Sequence, residues 1–592
     1  MLGVARRRTW AYIFAVIVIF FIVSLRRNLD THGFPPLSAL NPADGLSHSR
    51  WSRMKPKYPV KSMRQLPTQK PQALPKVQKS FPEEADPARI KRLKRQKAVK
   101  EAFQRCWGSY RTKAWMSDEL TPISGGRRDT FGGWGATLVD SLDTLWIMGM
   151  KKEFKEAVDA ASNINFDGTT LEDVNIFETN IRYLGGFLSA YDLSGDKRLL
   201  EKAREVGEML YAAFDTPNRM PLTRWKLHSA IQGQAQVAED NVLLAEIGSF
   251  SLEFIRLSLL TGDPKWFDAA QRIAEVMHEQ QASTRLPGMW PVVVSARQQA
   301  FNKHSEHTLG AMADSMYEYL PKTHALVGGL LPIYREMYEA SMDTAIKYAL
   351  YRPMLPDEKD VLLSGMVVTQ GKDDPKLQPE GQHLVCFAGG MLALGGRLVE
   401  NQTHVDKGEK LMEGCVWAYK AMPNGIMPET FSMLPCASPD ECPWNETMWK
   451  QAVLGRTSMD GDPELTLADK IITSKRLPKG FTDIRDTRYI LRPEAIESVF
   501  ILYRITGRAD LLESAWDMWT AIDDATRTEL ANSAVNDITV TDEKPPQSDS
   551  MESFWLGETL KYFYLIFSEP DHISLDEYVF NTEAHPFKRL LP

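Results

Sequence analysis

In the stretch LRPEAIESVF, Leu491–Phe500, two carboxylates, Glu494 and Glu497, stand among apolar residues. Pro493 suits the first turn of a helix, where no amide hydrogen is needed. Glu494 would then meet the positive end of the helix dipole, with Glu497 on the same face. Capping alone can account for acids at such a place. The combination recurs, however. Glu178 follows Phe177 in NIFETNIRYLGG, with Arg182 one turn on, and Asp314 and Glu318 stand one turn apart in GAMADSMYEYLPK. Glu429 follows Met427 and Pro428 in NGIMPETFS, and Glu552 precedes Phe554 and Trp555 in MESFWLGETLKYFYL, with Glu558 further along. Paired carboxylates are the chemistry of glycoside hydrolysis. One must hold a proton for the leaving oxygen, which apolar surroundings favour, while the other stays ionised to drive water onto the anomeric carbon. The aromatic residues beside these acids suit stacking on sugar rings.

Other chemistries find little support. The chain has no GxSxG elbow, no HExxH and no CxxC, and its eleven histidines lack ligand spacing. GGRRDTFGGWG, Gly125–Gly135, lacks the Lys-Ser/Thr of a phosphate loop, so its glycines are read as a tight turn bringing Trp134 and the arginines close to something. In YVFNTEAHPF, Asn581, Thr582 and Glu583 bunch oxygen donors, as a capping box or Asx turn would, or as a site for a hard cation such as calcium would.

The elements that must position these residues follow one plan: an apolar helix, a Gly stop, then an amphipathic helix. The breaks fall at Gly149, Gly195, Gly262 and Gly507. Gly can take the left-handed conformation that ends a helix, and a following Asp caps the next. Leu199, Leu200, Ala203 and Val206 recur at helical spacing, as do Phe267, Ala270, Ile273 and Val276. Stacked helical hairpins are expected, in an open solenoid or a closed ring.

With 592 residues, 43% of them hydrophobic and 25% charged, the chain has ordinary globular composition, and its net charge of -7 points to no nucleic acid. Arg6, Arg7 and Arg8 precede an apolar run over residues 10–25, closed by Arg26 and Arg27. No cleavage-site pattern follows, so we expect a single transmembrane anchor after a cytosolic tail of residues 1–9. Sequons at Asn401 and Asn445 expect the body on the lumenal side, carrying glycans. Residues 26–86, rich in Pro, Lys, Arg, Ser and Gln without apolar periodicity, are expected to be a disordered, extended stem, and 87–592 the globular domain. Five cysteines in an oxidising lumen allow two disulfides and leave one over.

DSLDTLWIMG, IFETNIRYLGG, DSMYEYLPK, HLVCF, LRPEAIES, ESFWLGETLKYFYLIF and FNTEAHP, in this order from about Ala102 to Phe587, resemble glycoside hydrolase family 47, the class I alpha-1,2-mannosidases. The resemblance implies an all-α (αα)7 barrel and calcium-dependent, inverting removal of terminal alpha-1,2-linked mannose from high-mannose N-glycans, at the membrane of the Golgi or endoplasmic reticulum with single-pass type II topology. It implies catalytic acids at Glu178, Asp314, Glu429 and Glu494, with Glu178 and Asp314 rivals for proton donor and Glu494 the base. Thr582 falls on the direct calcium ligand, and Arg182, His383, Arg492, Glu497, Glu552, Phe554 and Glu583 fall on pocket positions. Cys386 and Cys415 match the family's disulfide. Cys436 and Cys442 would then close a small loop, leaving Cys106 free.

Three departures stand out. Met312 occupies a place where narrow-trimming endoplasmic reticulum members carry arginine, which removes a bidentate grip on one glycan branch and points to broader, Golgi-type trimming. Pro321 replaces a common Leu, and Gln382 a frequent Glu. Beside the hydrolase stand a lectin-like relative acting in degradation of misfolded glycoproteins and a helical-repeat scaffold. The retained acids and the Cys386 and Cys415 pair favour the enzyme; oligomeric state stays open.

Overall fold

A computed structural model describes residues 49–370, 374–438, 440–455 and 465–592. The expected anchor at 10–25 and tail at 1–9 lie outside the described residues. No described helix is long and apolar enough to cross a membrane.

The expected hairpins form. Helix Gly185–Ser194 ends at Gly195, whose φ of +73° is left-handed, and Asp196 caps Lys197–Ala212 by accepting from the Arg198 amide at 3.1 Å. Gly149, Gly262 and Gly507 take positive φ at the corresponding breaks. Leu199, Ala203 and Val206 are fully buried, as are Phe267, Ala270 and Ile273 to within a few per cent, while Leu200 and Val276 lie half-buried at the edge of the stripe.

The hairpins stack in order. Leu142–Ile147 packs on Gly185–Ser194, which packs on Ser251–Thr261, then Asp314–Leu326, Phe387–Leu398, Glu494–Thr506 and Leu560–Ile566. The segment Trp555–Thr559, leading into the last of these, returns to Leu142–Ile147. Each has an amphipathic partner: Lys151–Ala161, Lys197–Ala212, Lys265–Gln280, Pro332–Tyr348, Gln402–Ala421 and Asp510–Thr526, with Asp86–Lys113 against Leu560–Ile566. The first helices are buried nearly all round; Asp314–Leu326 and Phe387–Leu398 are the extreme cases. Cys386 and Cys415 are bonded, tying the start of Phe387–Leu398 to its partner Gln402–Ala421, and Cys436 bonds Cys442. Cys106 is free and buried.

The expected helical fold is present, with short strands in its connections. Small antiparallel sheets of two or three strands interrupt the helices. Their strands span two to six residues, most of them two or three, too short for alternation to show against the helical pattern. They steer connections: Val174–Asn175 precedes Glu178, Glu380–Gln382 precedes His383, and Thr430–Met433 follows Glu429.

The expectation of a disordered stem is corrected for residues 49–86; residues 26–48 lie outside the described residues. The described residues, from 49 onward, belong to one compact unit, and the described part of the expected stem lies along the helical body. Trp51 is 3% exposed, donates from Nε1 to the Phe166 carbonyl at 3.0 Å and meets the Trp225 ring at 5.3 Å. The Lys57 and Tyr58 amides share the Asp215 carboxylate, Arg64 pairs with Asp268 and Glu275, and the Val77 amide donates to Asp576 at 2.6 Å. Isolated anchors and backbone hydrogen bonds to another part of the chain satisfy this segment, and neither leaves a periodic signal in its composition.

Candidate active site

The helix starts and connections converge on a cavity of about 330 Å³. Glu178, Asp314 and Glu494 line it together with Arg182, Arg492, Glu497, Glu552, Phe554, Thr582 and Glu583. Residues more than 400 positions apart thus meet at one place.

Glu178 closes the short turn Ile176–Glu178, which Asn175 caps by accepting from the Phe177 and Glu178 amides at 3.0 and 3.2 Å. A π-helical segment, Thr179–Leu184, follows and carries Arg182. A second one, Trp555–Thr559, follows Phe554 and carries Glu558. Such widened turns re-aim side chains and recur at functional sites. Arg182 is the hub of this wall. It donates from Nε to Glu178 at 2.8 Å and from Nη1 to Glu583 at 2.8 Å and to the Ser553 hydroxyl at 3.1 Å.

Asp314 opens helix Asp314–Leu326 and accepts from the Ser315 amide at 2.8 Å. Burial raises its carboxyl to about 7, helped by the negative charges of Glu318 and Glu494 and opposed by the Ser315 amide and Arg492. Glu494 opens helix Glu494–Thr506 after Pro493. Burial alone would raise it, but the His383 hydrogen bond and the charge of Arg492 outweigh burial and lower it. His383 Nδ1 lies 2.8 Å from Glu494 Oε2, and Nε2 lies 2.7 Å from the Tyr419 hydroxyl. The two acids are therefore driven in opposite directions, the pattern that separates an acid from a base.

Glu429 and His383 do not line the cavity. Glu429 stands behind it, paired with Arg492. His383 is fully buried and acts on the cavity through Glu494. Glu497 lies one turn beyond Glu494 on the same face, as its spacing implied, and shares Lys322 with Glu318. Lys322 was not picked out in the sequence, although it stands four residues after Glu318, a spacing that signals a helical ion pair. Glu318 and Glu558 also line the cavity. Burial, Glu583 and Glu494 together push Glu558 well above its ordinary range.

The turn at 581–585 resolves the bunched oxygens. Asn581 accepts from the Glu583 and His585 amides at 3.0 and 2.8 Å and donates to the Ile181 carbonyl and Glu253. Its amide is consumed in building the turn, so it is no candidate ligand. That turn places Thr582 in the cavity wall, with Glu583 following it. No group of three or more His, Cys, Asp or Glu residues converges as a metal cage among the described residues. Thr582 nevertheless lines a cavity rich in carboxylates, and oxygen donors of these kinds suit a hard cation that keeps much of its water. The residues present fit calcium.

Met312 is 54% exposed at the cavity edge, with φ of +74°. Gln382 accepts from the Ala311 amide at 3.1 Å and so fastens the turn carrying Met312 and Asp314. Pro321 is buried within its helix. The sequon residues Asn401 and Asn445 each cap a helix, half-buried and exposed respectively.

The chain is similar to known proteins. The human endoplasmic reticulum mannosyl-oligosaccharide 1,2-alpha-mannosidase is 36% identical over 502 residues, covering 83% of this chain and 64% of the relative. The Arabidopsis thaliana mannosyl-oligosaccharide 1,2-alpha-mannosidase MNS1 is 35% identical, covering 87% and 81%. A solved alpha-1,2-mannosidase from Trichoderma reesei superposes with a TM-score of 0.73 at 31% identity, covering 84% of this chain and 99% of that one. The match thus spans just under two thirds of the human relative's length. The model of glycosyl hydrolase family 47 matches residues 102–589, and the chain belongs to that family.

Proposed function

We propose that the protein hydrolyses terminal alpha-1,2-linked mannose from high-mannose N-glycans, with inversion at the anomeric carbon. The carrying observation is one cavity in which Asp314 is raised to about 7 while Glu494 is lowered. Asp314 then keeps its proton near neutral pH and delivers it to the leaving glycosidic oxygen. Glu494 stays ionised, oriented by His383, and takes a proton from the attacking water. Glu178 is held by Arg182 and positions sugar or water from the facing wall. Glu429 acts through Arg492, which it fixes beside Glu494. Phe554 offers an aromatic face to the sugar, and Glu497, Glu552 and Glu583 accept its hydroxyls.

Thr582 would hold calcium through its hydroxyl and carbonyl; the bound ion supplies a template for sugar hydroxyls and water. The cyclic order in which the first helices pack supports a closed (αα)7 barrel around this cavity. We further place the body in the lumen of the Golgi or endoplasmic reticulum, anchored by residues 10–25 and glycosylated at Asn401 and Asn445. The names of the relatives and the two disulfides support that placement. A lectin-like role gains no specific support from a site whose acid and base are so divided.

The test incubates full-length protein with a nine-mannose N-glycan, with and without a calcium chelator, and follows the released sugar by NMR. β-Mannose should appear first, and chelation should abolish turnover. Intact glycan beside folded, calcium-loaded protein refutes the hydrolase; α-mannose as first product refutes inversion; chelator-resistant turnover refutes the calcium requirement.

A further inference from the structure

The Gly-rich stretch Gly125–Gly135 takes no part in the chemistry above, yet its fold is closely specified. Asp118, fully buried, gathers it: one carboxylate oxygen accepts from the Phe131 and Gly133 amides at 2.7 and 2.9 Å, the other from the Ala136 amide and the Tyr183 hydroxyl at 3.0 Å each. The Tyr183 hydroxyl also lies 3.1 Å from the Phe131 carbonyl, and Thr169 donates to the Gly132 carbonyl at 3.0 Å. Gly132 has φ of +106°, and a Cβ there would come within 2.6 Å of the Trp134 ring. Trp134 in turn packs edge-on against Tyr183. These contacts fix the backbone that carries Phe131. Its ring lies over the Arg182 guanidinium, 4.4 Å from ring centroid to Cζ.

We propose that Phe131 is a positioning residue for the reaction: its ring holds the Arg182 guanidinium in the orientation that grips Glu178 and Glu583. The inference rests on the hydrolase reading and adds a residue to it. Arg182 is 5% exposed, its Nε and Nη1 donors are committed to Glu178, Glu583 and Ser553, and the Phe131 ring covers its flat face. An aromatic ring on that face attracts the cation and keeps water off the ion pairs, an effect that grows when the cation is desolvated. Tyr183 and Arg182 are neighbours on the same π-helical turn, so the Asp118-centred loop is keyed to the segment it supports. The loop therefore sets an orientation at the catalytic wall without touching sugar.

The test compares full-length wild type with Phe131→Leu, Phe131→Tyr and Phe131→Trp on the nine-mannose glycan, measuring kcat, KM and melting temperature. Leu keeps apolar bulk and removes the ring. Phe131→Leu should lower kcat about tenfold with KM within about twofold. Tyr and Trp should stay within about threefold of wild type. Wild-type kcat in Phe131→Leu overturns the inference, as does a rise in KM alone, which would make Phe131 a sugar-stacking residue. A kcat loss equal in all three variants also overturns it, since that tracks packing. An inactive wild type sinks the hydrolase reading itself, a result separate from any difference among the variants.

Discussion

Replacing Asp314 with Asn tests the acid assignment in two independent currencies. Asn keeps the shape and the oxygen that accepts from the Ser315 amide at 2.8 Å, but it cannot ionise. The carboxyl rises from an ordinary 3.8 to about 7, mainly through burial. Below pH 3.8 both folded and unfolded chains are protonated and the contribution to stability is fully present. Between 3.8 and about 7 the unfolded chain has released a proton that the folded chain retains, so stability falls as pH rises, and the loss is complete above the folded value. The full rise corresponds to about 4 kcal/mol. Cavity water reaches part of the side chain, and Glu318 and Glu494 share the field, so about 2 kcal/mol is the expected difference between the pH 4 and pH 8 stabilities that the variant lacks. Catalysis moves the other way: kcat should fall 10²–10⁴-fold, roughly the worth of a general acid. Denaturant unfolding at fixed calcium from pH 4 to 8, with single-turnover assays alongside, reads both. A variant keeping more than about a tenth of wild-type kcat, or a stability slope parallel to wild type, would refute the reasoning.

Exchange of His383 for Leu removes the hydrogen bond that holds Glu494 down. The base must be ionised, so activity disappears as pH falls through its pKa, and raising that pKa should move the acid limb of the rate profile to higher pH; an unmoved limb would separate His383 from Glu494. A chain beginning at Asp86 should melt well below one beginning at Ser49. The single change Trp51→Ala should cost about 3 kcal/mol in urea unfolding, because a 3% exposed indole leaves a cavity. Identical melting of the two chains would contradict the packing described for residues 49–85. Met312→Arg should restore a bidentate donor at the cavity edge and slow trimming after the first mannose, read as product masses over time. An unchanged product ladder would dissociate Met312 from branch choice.

The hairpins were legible because a Gly stop followed by a capped amphipathic helix is local chemistry. Gly195 and Asp196 do in the structure what their order in the chain implies. Glu494 and Glu497 were legible for the same reason, since three residues along a helix is one face. The short strands were not, because most are two or three residues long, too few to show a period. Nor were the anchors Trp51 and Val77, whose partners at Phe166 and Asp576 lie 115 and 499 positions away.

Residue types and helical spacing by themselves determined which acids were candidates and which family the motifs resembled. Only the tertiary structure decided what each acid became. It set Glu429 behind Arg492, spent Asn581 on a turn, put Phe131 over Arg182, and divided Asp314 from Glu494. The physical reason is that a carboxyl's charge state depends on the dielectric and the charges around it. Beside the local neighbours Glu318 and Arg492, those include His383 at Glu494, and Glu494 with Arg492 at Asp314, brought together by packing between helices, and no window along the chain contains them all.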